Sequence, residues 1–511
     1  MNMPSSIDQT SDQAKPDRFL HRVRGLNQTP IRDEASYVLY WMIAARRTAF
    51  NFALDRAIDW AHKLGKALVV FEPLRVAYPW ASDRLHRFVI DGMADKASIF
   101  KDIPAFYYPY IEPHKDADKG LLAALASEAC VVVTDDYPCF FLPRMVTAAA
   151  KKITAAMEAI DSNGVLPMRA ADHAFTAAFH YRRHMQKSLP LYADKFPLAN
   201  PLANLDLPKP SGLLAKIQKK WPAAPEELLS GDAQALAKLE IDHTVPTVAT
   251  HGGEVEARQA LTKFLKNALS SYKDAHNEPE IEGTSRLSPY LHFGQIGAHE
   301  IFHEVMKQEK WSVFKLGAKA NGIREGWWGV SAGAEAFLDQ LVTWRELAFN
   351  TCAFLPKTYD HFDSLPGWAL ETLSKHAGDA RPHVYTRTQL ENGQTHDALW
   401  NAAMGQLRIE GWFHNYMRML WAKKILEWSR TPREALGHMI AIMDRWSLDG
   451  RDPNAYAGYF WTLGRYDRPW PERPIYGTVR SMSSDNTAKK YRVKAYIARY
   501  TNADSKQMLL L

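Results

Sequence analysis

Four segments in the C-terminal half of the chain concentrate the side chains that could perform chemistry. Their hydroxyl, basic and carboxylate groups could bind phosphates or another polar ligand, and their tryptophans offer flat surfaces on which aromatic rings stack. The segments are Glu282–Gly294, Phe337–Leu347, Leu407–Trp428 and Ser447–Trp461.

The first segment has the pattern of a phosphate-binding loop. Thr284, Ser285 and Ser288 precede Pro289, so the chain is predicted to pass from a hydroxyl-rich loop into a helix. The first amides of a helix and nearby hydroxyls favour anions, which suits a pyrophosphate. The same residue types cap ordinary helices, so the pattern alone is compatible with both interpretations.

Tryptophan is concentrated toward the C-terminus, because 12 of the 16 tryptophans lie beyond residue 300. Trp421 and Trp428 are seven residues apart. On one helix they share a face and are separated by about 10.5 Å along the axis. Large aromatic side chains usually pack in a core, and spacing alone favours that interpretation.

A different motif suggests a metal site. His299, Glu300 and His303 match the HExxH spacing, in which two histidines one helical turn apart bind zinc. A third histidine is missing, because Glu309 stands six residues after His303, and Met306 occupies the glycine position of the longer pattern. We therefore expect an ordinary amphipathic helix here and predict no metal site.

The four segments together resemble the photolyase/cryptochrome flavoproteins, most closely the class II cyclobutane pyrimidine dimer photolyases. The resemblance runs from about Ser36 to Tyr500 and is densest after Thr395. The clearest stretches are Thr395–Ala403, Trp421–Trp428 and Leu448–Asn454. The resemblance implies an FAD-dependent DNA photolyase, a carbon–carbon lyase that uses blue or near-UV light. Such an enzyme repairs pyrimidine dimers by electron transfer from reduced flavin.

The resemblance assigns a cofactor pocket to positions in these segments. Tyr272 and the hydroxyl-rich segment would hold the FAD phosphates, and Arg418 and Asp449 would form an ion pair beside the isoalloxazine ring. A cation there would stabilise the anionic reduced flavin, and a structural salt bridge is the alternative. The implied cofactor-binding residues are Tyr272, Thr284, Ser285, Leu287, Ser288, Asn415, Arg418, Asp449 and Asn454.

The resemblance also assigns six residues to electron transfer and to substrate binding. One set matches a tryptophan chain that carries an electron from the protein surface to the photoexcited flavin. The other matches two rings that clamp a flipped-out pyrimidine dimer and a methionine that contacts it. The electron-transfer residues are Trp400, Trp421 and Trp428, and the substrate-binding residues are Trp344, Met419 and Trp461.

Two positions depart from the class II pattern, and we include both in the catalytic set. The family carries a dimer-binding glutamate four residues before Trp344, where this chain has Gln340, which cannot hold an acidic proton. The adjacent Asp339 should point to another side of the helix. The family places an asparagine near flavin N5 where this chain has Met443, at best a weak acceptor.

These departures leave alternatives to routine repair. A cryptochrome-like blue-light photoreceptor would keep the flavin and the tryptophan chain and show weak or no dimer repair. A DNA-binding protein without photochemistry is a third interpretation. It is less favoured, because the flavin pocket and the tryptophans are retained.

The elements that must position these segments follow from periodicity. Short apolar runs at 37–43, 67–71, 105–111 and 130–134 alternate with helical patterns, which predicts a mostly parallel sheet covered by helices. The first run is not followed by a GxGxxG fingerprint. Helical patterns dominate from about residue 253. The predicted parts are a flexible tail (1–30), a Rossmann-like α/β antenna-type domain (31–180), a linker (181–250) and an all-α FAD-binding domain (251–511). An antenna chromophore in the α/β domain is compatible with the resemblance, and the sequence does not identify it.

Composition limits the class of protein. The 511 residues are 46% hydrophobic and 23% charged, as in globular proteins of two or three domains. No apolar run approaches the ~20 residues of a membrane span, and the N-terminus lacks the apolar stretch of a secretory signal. Three cysteines offer no disulfide framework. We expect a cytoplasmic monomer that associates with the nucleoid when bound to DNA.

Charge is unevenly distributed. Residues 401–511 contain 18 lysines and arginines against 10 acidic residues, a balance of +8, whereas the whole chain carries +6. Such a bias favours a polyanion, and UV-damaged DNA is the partner that the resemblance implies. An ordinary solvated surface is the alternative. The predicted phosphate contacts are Arg465, Arg468, Arg473, Arg480, Lys489 and Lys490.

Overall fold

The N-terminal part of the protein is a six-stranded sheet in the computed structural model, which describes residues 17–209, 212 and 214–501. The strands are β1 Val23–Gly25, β2 Tyr37–Trp41, β3 Ala67–Leu74, β4 Phe106–Ile111, β5 Ala129–Asp135 and β6 Ala156–Ile160. Their order in the sheet is β1-β6-β5-β2-β3-β4, and all pairs are parallel except β1 with β6.

The four predicted strands are confirmed as β2, β3, β4 and β5. All residues of the central strands β2 and β5 are buried, and continuous apolar runs are typical of parallel strands covered on both faces. The sequence does not predict β6, because its alanines, methionine and glutamate favour helix as much as strand. It does not predict β1 either, which lies in the segment assigned to the tail. Residues 1–16 of that predicted tail lie outside the described residues.

Helices cover the sheet and form the rest of the protein. Up to residue 236 they are α1 Phe52–Leu64, α2 Asp83–Ile99, α3 Leu121–Ser127, α4 Leu142–Ala150, α5 Ala178–Tyr192, α6 Ala215–Lys220, α7 Glu226–Leu229 and α8 Ala233–Leu236. The later helices are α9 Glu254–Asn267, α10 Tyr272–Ala275, α11 Ser288–His292, α12 Ala298–Gln308, α13 Ala332–Leu338, α14 Arg345–Phe354, α15 Gly367–Lys375, α16 Arg387–Glu391, α17 Ala398–Glu410, α18 Asn415–Trp428, α19 Pro432–Trp446, α20 Pro453–Thr462, α21 Ser484–Lys490 and α22 Lys494–Thr501. A π-helix, Asp339–Trp344, joins α13 to α14 without a break.

This order of elements confirms the predicted fold class, an α/β domain followed by an all-α domain. Within the described part of the chain, no named strand follows β6. None of the described helices combines the length and the apolar character that crossing a membrane requires.

Segment 181–250, predicted as a linker, carries most of α5 and all of α6, α7 and α8. Tyr181, Met185 and Leu189 of α5 pack with the helical part of the protein. Leu214 and Trp221 instead pack against the sheet. The segment thus runs across both parts, and the domain boundaries stay a prediction.

Side-chain caps fix the ends of two helices that carry candidate site residues. The carboxylate of Asp397 accepts a hydrogen bond from the amide of Trp400 at the start of α17. Asp452 accepts a hydrogen bond from the amide of Ala455 at the start of α20. Pro453 is the first residue of α20 and has no amide hydrogen. The first amide of a helix has no partner within the helix, so proline loses no hydrogen bond at that position. Each such cap stabilises a helix by about 1 kcal/mol.

Arg84 of α2 joins the α/β domain to the helical domain. Its buried guanidinium donates to the carbonyls of Leu407, Arg408 and Trp446 at 3.2, 2.6 and 2.6 Å. These carbonyls lie in the last turns of α17 and α19, where helix carbonyls lose their regular partners; that of Leu407 also accepts from the amide of Gly411 at 3.0 Å. The two domains are therefore joined by hydrogen bonds to the helices that frame the candidate site.

Candidate functional site

Arg418 and Asp449 form the predicted ion pair. Nη2 of Arg418, on α18, lies 3.1 Å from each carboxylate oxygen of Asp449, in the loop between α19 and α20. Burial alone would raise the pKa of Asp449, but the charge of Arg418 and hydrogen bonds from Ser288 and Ser447 outweigh burial and lower that pKa. Asp449 is therefore ionised at neutral pH, and it brings α18 and the hydroxyl-rich segment to one place.

Three buried polar atoms on or next to α18 have no hydrogen-bond partner among the described residues. They are Nε of Arg418, Nε2 of His414 and Nε1 of Trp421. Burial lowers the pKa of His414 to about 4, so its ring is neutral. Unpaired buried polar groups cost free energy, and a bound polar ligand would satisfy them. The residues present therefore fit a polar ring system held beside α18.

The hydroxyl-rich segment passes from a loop into a helix, as predicted. Thr284 and Ser285 are partly exposed in the loop, and α11 begins at Ser288. Between them, Arg286 has a φ of 56° and its guanidinium lies 2.6 Å from the carboxylate of Glu410. This ion pair anchors the loop to the end of α17.

The other residues assigned to the cofactor are more dispersed. Tyr272 begins α10 and stacks on His276 with 4.8 Å between the ring centres. Leu287 is buried, whereas Asn415 and Asn454, in the first turns of α18 and α20, are exposed. Within the described residues, no hydrogen bond or ion pair links these side chains to the arginine–aspartate pair.

The three tryptophans assigned to electron transfer form one chain of contacting rings. The ring centre of Trp400, on α17, is 6.3 Å from that of Trp421, with 6° between the planes. It is 5.4 Å from that of Trp428, with 70° between the planes. Nε1 of Trp400 also donates to the backbone carbonyl of Trp421 at 3.0 Å. The spatial order is therefore Trp421, Trp400, Trp428, which the order along the chain does not indicate.

The last ring of this chain, Trp428, is buried rather than at the surface, since only 1% of it is exposed. The rings of Tyr385 and His396 cover it, with centres 5.4 and 5.3 Å away. The hydroxyl of Tyr385 lies 2.7 Å from Nδ1 of His396. Sequence reasoning missed both residues, and the cluster of histidine and tyrosine at 383–396 is the signal that could have indicated them.

Gln340 and Trp344 both lie in the π-helix between α13 and α14, and both side chains are partly exposed. Turns of this kind often occur at functional sites. Asp339 is buried, and Arg182 and Arg324 lie 2.9 and 3.4 Å from its carboxylate. The expectation that Asp339 points to another side is confirmed, so it does not replace the glutamate of the family pattern.

The remaining residues assigned to the dimer are accessible. Trp461 is partly exposed in the last turn of α20, and Nζ of Lys423 lies 5.0 Å from the centre of its ring. Met419, also partly exposed, follows Arg418 on α18. The three residues assigned to substrate therefore meet the first requirement of a substrate site, which is access.

Met443 is fully buried in α19 and packs in the apolar core of the helical domain. Its carbonyl accepts a hydrogen bond from the amide of Ser447 at 2.9 Å. A Cβ added to Gly450 would lie 2.5 Å from the same carbonyl oxygen, so the turn that leads through Asp449 requires glycine there. The thioether of Met443 supplies no amide donor at this position.

The prediction that Arg465 contacts DNA phosphates is wrong. Arg465 is 5% exposed and donates to the carbonyls of Tyr359 and Ser364. Arg480 pairs with Asp467 at 2.9 Å, although part of its side chain remains exposed. The predicted phosphate contacts that are exposed are Arg468, Arg473, Lys489 and Lys490.

The HExxH residues make structural contacts. The ring of His299 packs edge-on against Phe52 and Phe196, with centres 5.2 Å apart in each case. Glu300 pairs with Arg258 at 2.6 Å. In the described residues, no group of three or more histidine, cysteine, aspartate or glutamate side chains could hold a metal ion.

A cleft of about 100 Å³ lies where the α/β domain meets the helical domain. Its walls are mostly aromatic and apolar, with a few polar groups among them. They include Arg46, Tyr78, Phe141, His292 and Arg451. Burial lowers the pKa of His292 well below its ordinary value, so the ring is neutral. Its walls favour an aromatic ring with few polar groups, in a space smaller than the roughly 300 Å³ at which typical ligand pockets begin.

Comparison with known proteins finds relatives over most of the chain. No family model matches the chain. The deoxyribodipyrimidine photo-lyase of Methanothermobacter thermautotrophicus is 32% identical over 484 residues, covering 94% of this chain and 97% of the relative. The protein of the same name from Arabidopsis thaliana is 31% identical, covering 92% and 90%. The crystal structure of a bacterial class III photolyase from Agrobacterium tumefaciens has the same fold, with a TM-score of 0.67 and 16% identity over 91% of this chain and 86% of that one.

The fold and these relatives define a protein of the photolyase/cryptochrome class. Within that class, the chain belongs to the deoxyribodipyrimidine photo-lyase family. The predicted family and the predicted enzyme class, a lyase of DNA repair, are both confirmed.

Proposed function

We propose that the protein is an FAD-dependent photolyase of class II type that repairs pyrimidine dimers in DNA with blue or near-UV light. The observation that carries the proposal is the arrangement on α18. Arg418 pairs with Asp449, and further along the same helix Trp421 and Trp428 enclose Trp400. Such a relay would carry an electron to a photoexcited flavin bound beside Arg418.

The residues on and around α18 fit FAD. When bound, reduced FAD supplies the light-excited electron that splits the cyclobutane ring and receives that electron again. Arg418 would donate its unpaired Nε to the ring system, and its charge favours negative charge there. Thr284, Ser285 and the first amides of α11 would bind the phosphates.

The accessible aromatic residues would hold the dimer. Trp344 and Trp461 would receive the flipped bases by stacking, with Met419 beside them. Gln340 would donate an amide hydrogen to a dimer carbonyl but has no acidic proton to offer. Met443 would leave the flavin without an amide neighbour. We therefore expect fewer repaired dimers per photon than in relatives with glutamate and asparagine at these positions.

The proposal extends to the surroundings of the site. The cleft between the domains is the proposed place for an antenna chromophore, because its walls favour an aromatic ring. Exposed basic side chains after α20, Arg468 first among them, would contact DNA phosphates. The protein would act on DNA as a cytoplasmic monomer.

The test is repair by the purified, reduced protein. Illumination with DNA that contains a thymine dimer is expected to restore the two thymines, and the same mixture in the dark is expected to leave them joined. The Trp461→Ala variant should retain FAD and lose most of the repair. Intact dimers after illumination would contradict the proposal, and photoreduction without repair would point to a photoreceptor instead.

A further inference from the structure

Lys423 is a fully buried lysine in the middle of α18. Its ammonium donates one hydrogen bond, to the carbonyl of Thr462 at 2.6 Å. Among the described residues, no carboxylate lies within salt-bridge distance of it. The residue next to it in sequence, Lys424, pairs with Glu427 at 3.0 Å instead.

Such a lysine is costly for the folded protein. Lysine is almost never fully buried unless it is paired, since taking an ammonium out of water costs several kcal/mol. Burial accordingly lowers the pKa of Lys423 to about 7, against the opposing charge of Asp467. An apolar side chain of the same length would avoid this cost, so stability does not explain a lysine here.

The contacts of Lys423 converge on Trp461. Thr462, whose carbonyl it binds, is the last residue of α20 and follows Trp461 directly. The ammonium also lies 5.0 Å from the centre of the Trp461 ring, within the range of a cation–π interaction. A single side chain therefore holds both the peptide at the end of the helix and the indole in its last turn.

We propose that Lys423 is a positioning residue for Trp461 and holds the indole in the orientation that receives a pyrimidine dimer. The proposal rests on the dimer-binding role of Trp461 in the proposed function. It predicts that the affinity for a dimer decreases when Lys423 loses its proton, because a neutral amine makes no cation–π interaction.

The groups that face Lys423 from neighbouring elements are few. In the segment after α20, Asp467 and Arg480 are paired with each other at 2.9 Å, and Arg480 lies 5.8 Å from the Trp461 ring. Burial would raise the pKa of Asp467, but its hydrogen bonds and the charge of Arg480 lower it, so it stays ionised. The hydroxyl of Tyr476 donates to Glu427 at 2.9 Å and also lies 3.1 Å from the carbonyl of Lys423. Burial raises the pKa of Tyr476 above its ordinary value, so it stays neutral.

The experiment measures the affinity of the protein for a five-nucleotide strand that contains a thymine dimer and for the same strand without the dimer. The strand is short so that phosphate contacts contribute little to the affinity. We expect the wild-type affinity for the dimer strand to fall about tenfold between about pH 6 and about pH 8.5. Lys423→Arg should bind tightly at both pH values, and Lys423→Met weakly at both. Lys424→Met is the matched control and should follow the wild type.

The outcomes separate this proposal from the proposed function. A wild-type affinity that does not change with pH would overturn the role of Lys423 without any variant, and so would Lys423→Met binding the dimer strand as the wild type does. If the wild type fails to prefer the dimer strand at either pH, the dimer site itself fails, and the role of Lys423 fails with it.

Discussion

The indole rings of Trp400 and Trp421 lie parallel, with 6.3 Å between their centres and 6° between their planes. The first residue belongs to α17 and the second to α18, and the Nε1 hydrogen bond of Trp400 to the carbonyl of Trp421 locks the two helices at this point. Both rings are buried. Trp400 therefore connects Trp421 to Trp428, which it contacts on another side.

We predict that Trp400→Phe will slow photoreduction of the bound flavin at least as much as Trp428→Phe. The reason is that Trp400 lies between the other two rings and contacts both, so its loss interrupts the chain of rings at its middle. Photoreduction is followed by absorption under blue light. Trp221→Phe, a buried tryptophan against the sheet, is the control. An unchanged rate in Trp400→Phe would reject the electron-transfer assignment.

The double variant Gln340→Glu, Met443→Asn should repair more dimers per absorbed photon than the wild type. Glutamate restores an acidic proton beside the dimer, and asparagine restores an amide near the flavin. Because Met443 is fully buried, the change at that position should also lower the free energy of unfolding. Repair yield and denaturation are measured on the same preparation. No gain in yield would show that other residues limit repair.

Asp452 should make the protein less stable as the pH rises from about 4 to 7. Burial, and next the charge of Asp449, raise the pKa of Asp452 to about 7 in the folded protein. A carboxyl group with a raised pKa contributes stability below its ordinary pKa and loses that contribution as the pH rises through the folded value. The change is at most about 4 kcal/mol for about three pKa units.

Asp452→Asn keeps a side-chain acceptor at the start of α20 and removes this titration. Its free energy of unfolding should therefore depend less on pH in that range, as measured by chemical denaturation at several pH values. Asp232→Asn is the control, since Asp232 caps the short helix α8 at an exposed position. Equal pH dependence in Asp452→Asn and wild type would contradict the prediction.

Arg465→Ala should change the stability of the protein, whereas Arg468→Ala should change how DNA binding depends on salt. The first leaves the buried carbonyl of Tyr359 and the partly buried carbonyl of Ser364 without this donor, and it should cost about 3 kcal/mol of stability. The second removes an exposed charge and should lower the slope of log affinity against log salt by about 0.9 for duplex DNA. Denaturation and salt titration measure the two effects. A changed salt slope in a folded Arg465→Ala variant would contradict its burial.

Asp449→Asn should raise the midpoint potential of bound FAD. The variant removes the negative charge that offsets Arg418, so the cation favours the reduced flavin more strongly. A tenfold shift in the two-electron equilibrium corresponds to about 30 mV, and a shift of that size is expected in spectroelectrochemical titration. Asp363→Asn, which breaks an exposed pair with Arg433, should leave the potential unchanged. A lower potential in Asp449→Asn would contradict the ion-pair assignment.

The predictable parts of the fold are those whose apolar pattern reflects burial on both sides. β2 and β5 are continuous apolar runs at the centre of the sheet, and both were predictable from sequence. β1 has three residues and exists through its pairing with β6, so its own pattern carries little information. The π-helix at Asp339–Trp344 was not predictable either, because its sequence is compatible with a continuous α-helix.

The candidate site was predictable where residues on one helix share a face. The spacing of Trp421 and Trp428 predicts that they share a face of α18, and their assignment to electron transfer comes from the family resemblance. The position of Trp400 between them depends on how α17 packs. Tyr385 and His396 also cover Trp428 only through tertiary packing, which sequence spacing does not indicate. Arg465 was predicted to contact DNA together with the other basic residues of the C-terminal region. The number of charged residues in a region does not show which of them are buried.

Arg84 limits how this protein can be divided or recombined. Its guanidinium comes from the N-terminal domain, yet the three carbonyls that it binds terminate helices of the C-terminal domain. Expressed alone, the C-terminal domain would expose those carbonyls together with the apolar contact surface around them. A chimera that exchanges the N-terminal domain must therefore bring an arginine at the equivalent place, so the two halves are inherited and engineered as one unit.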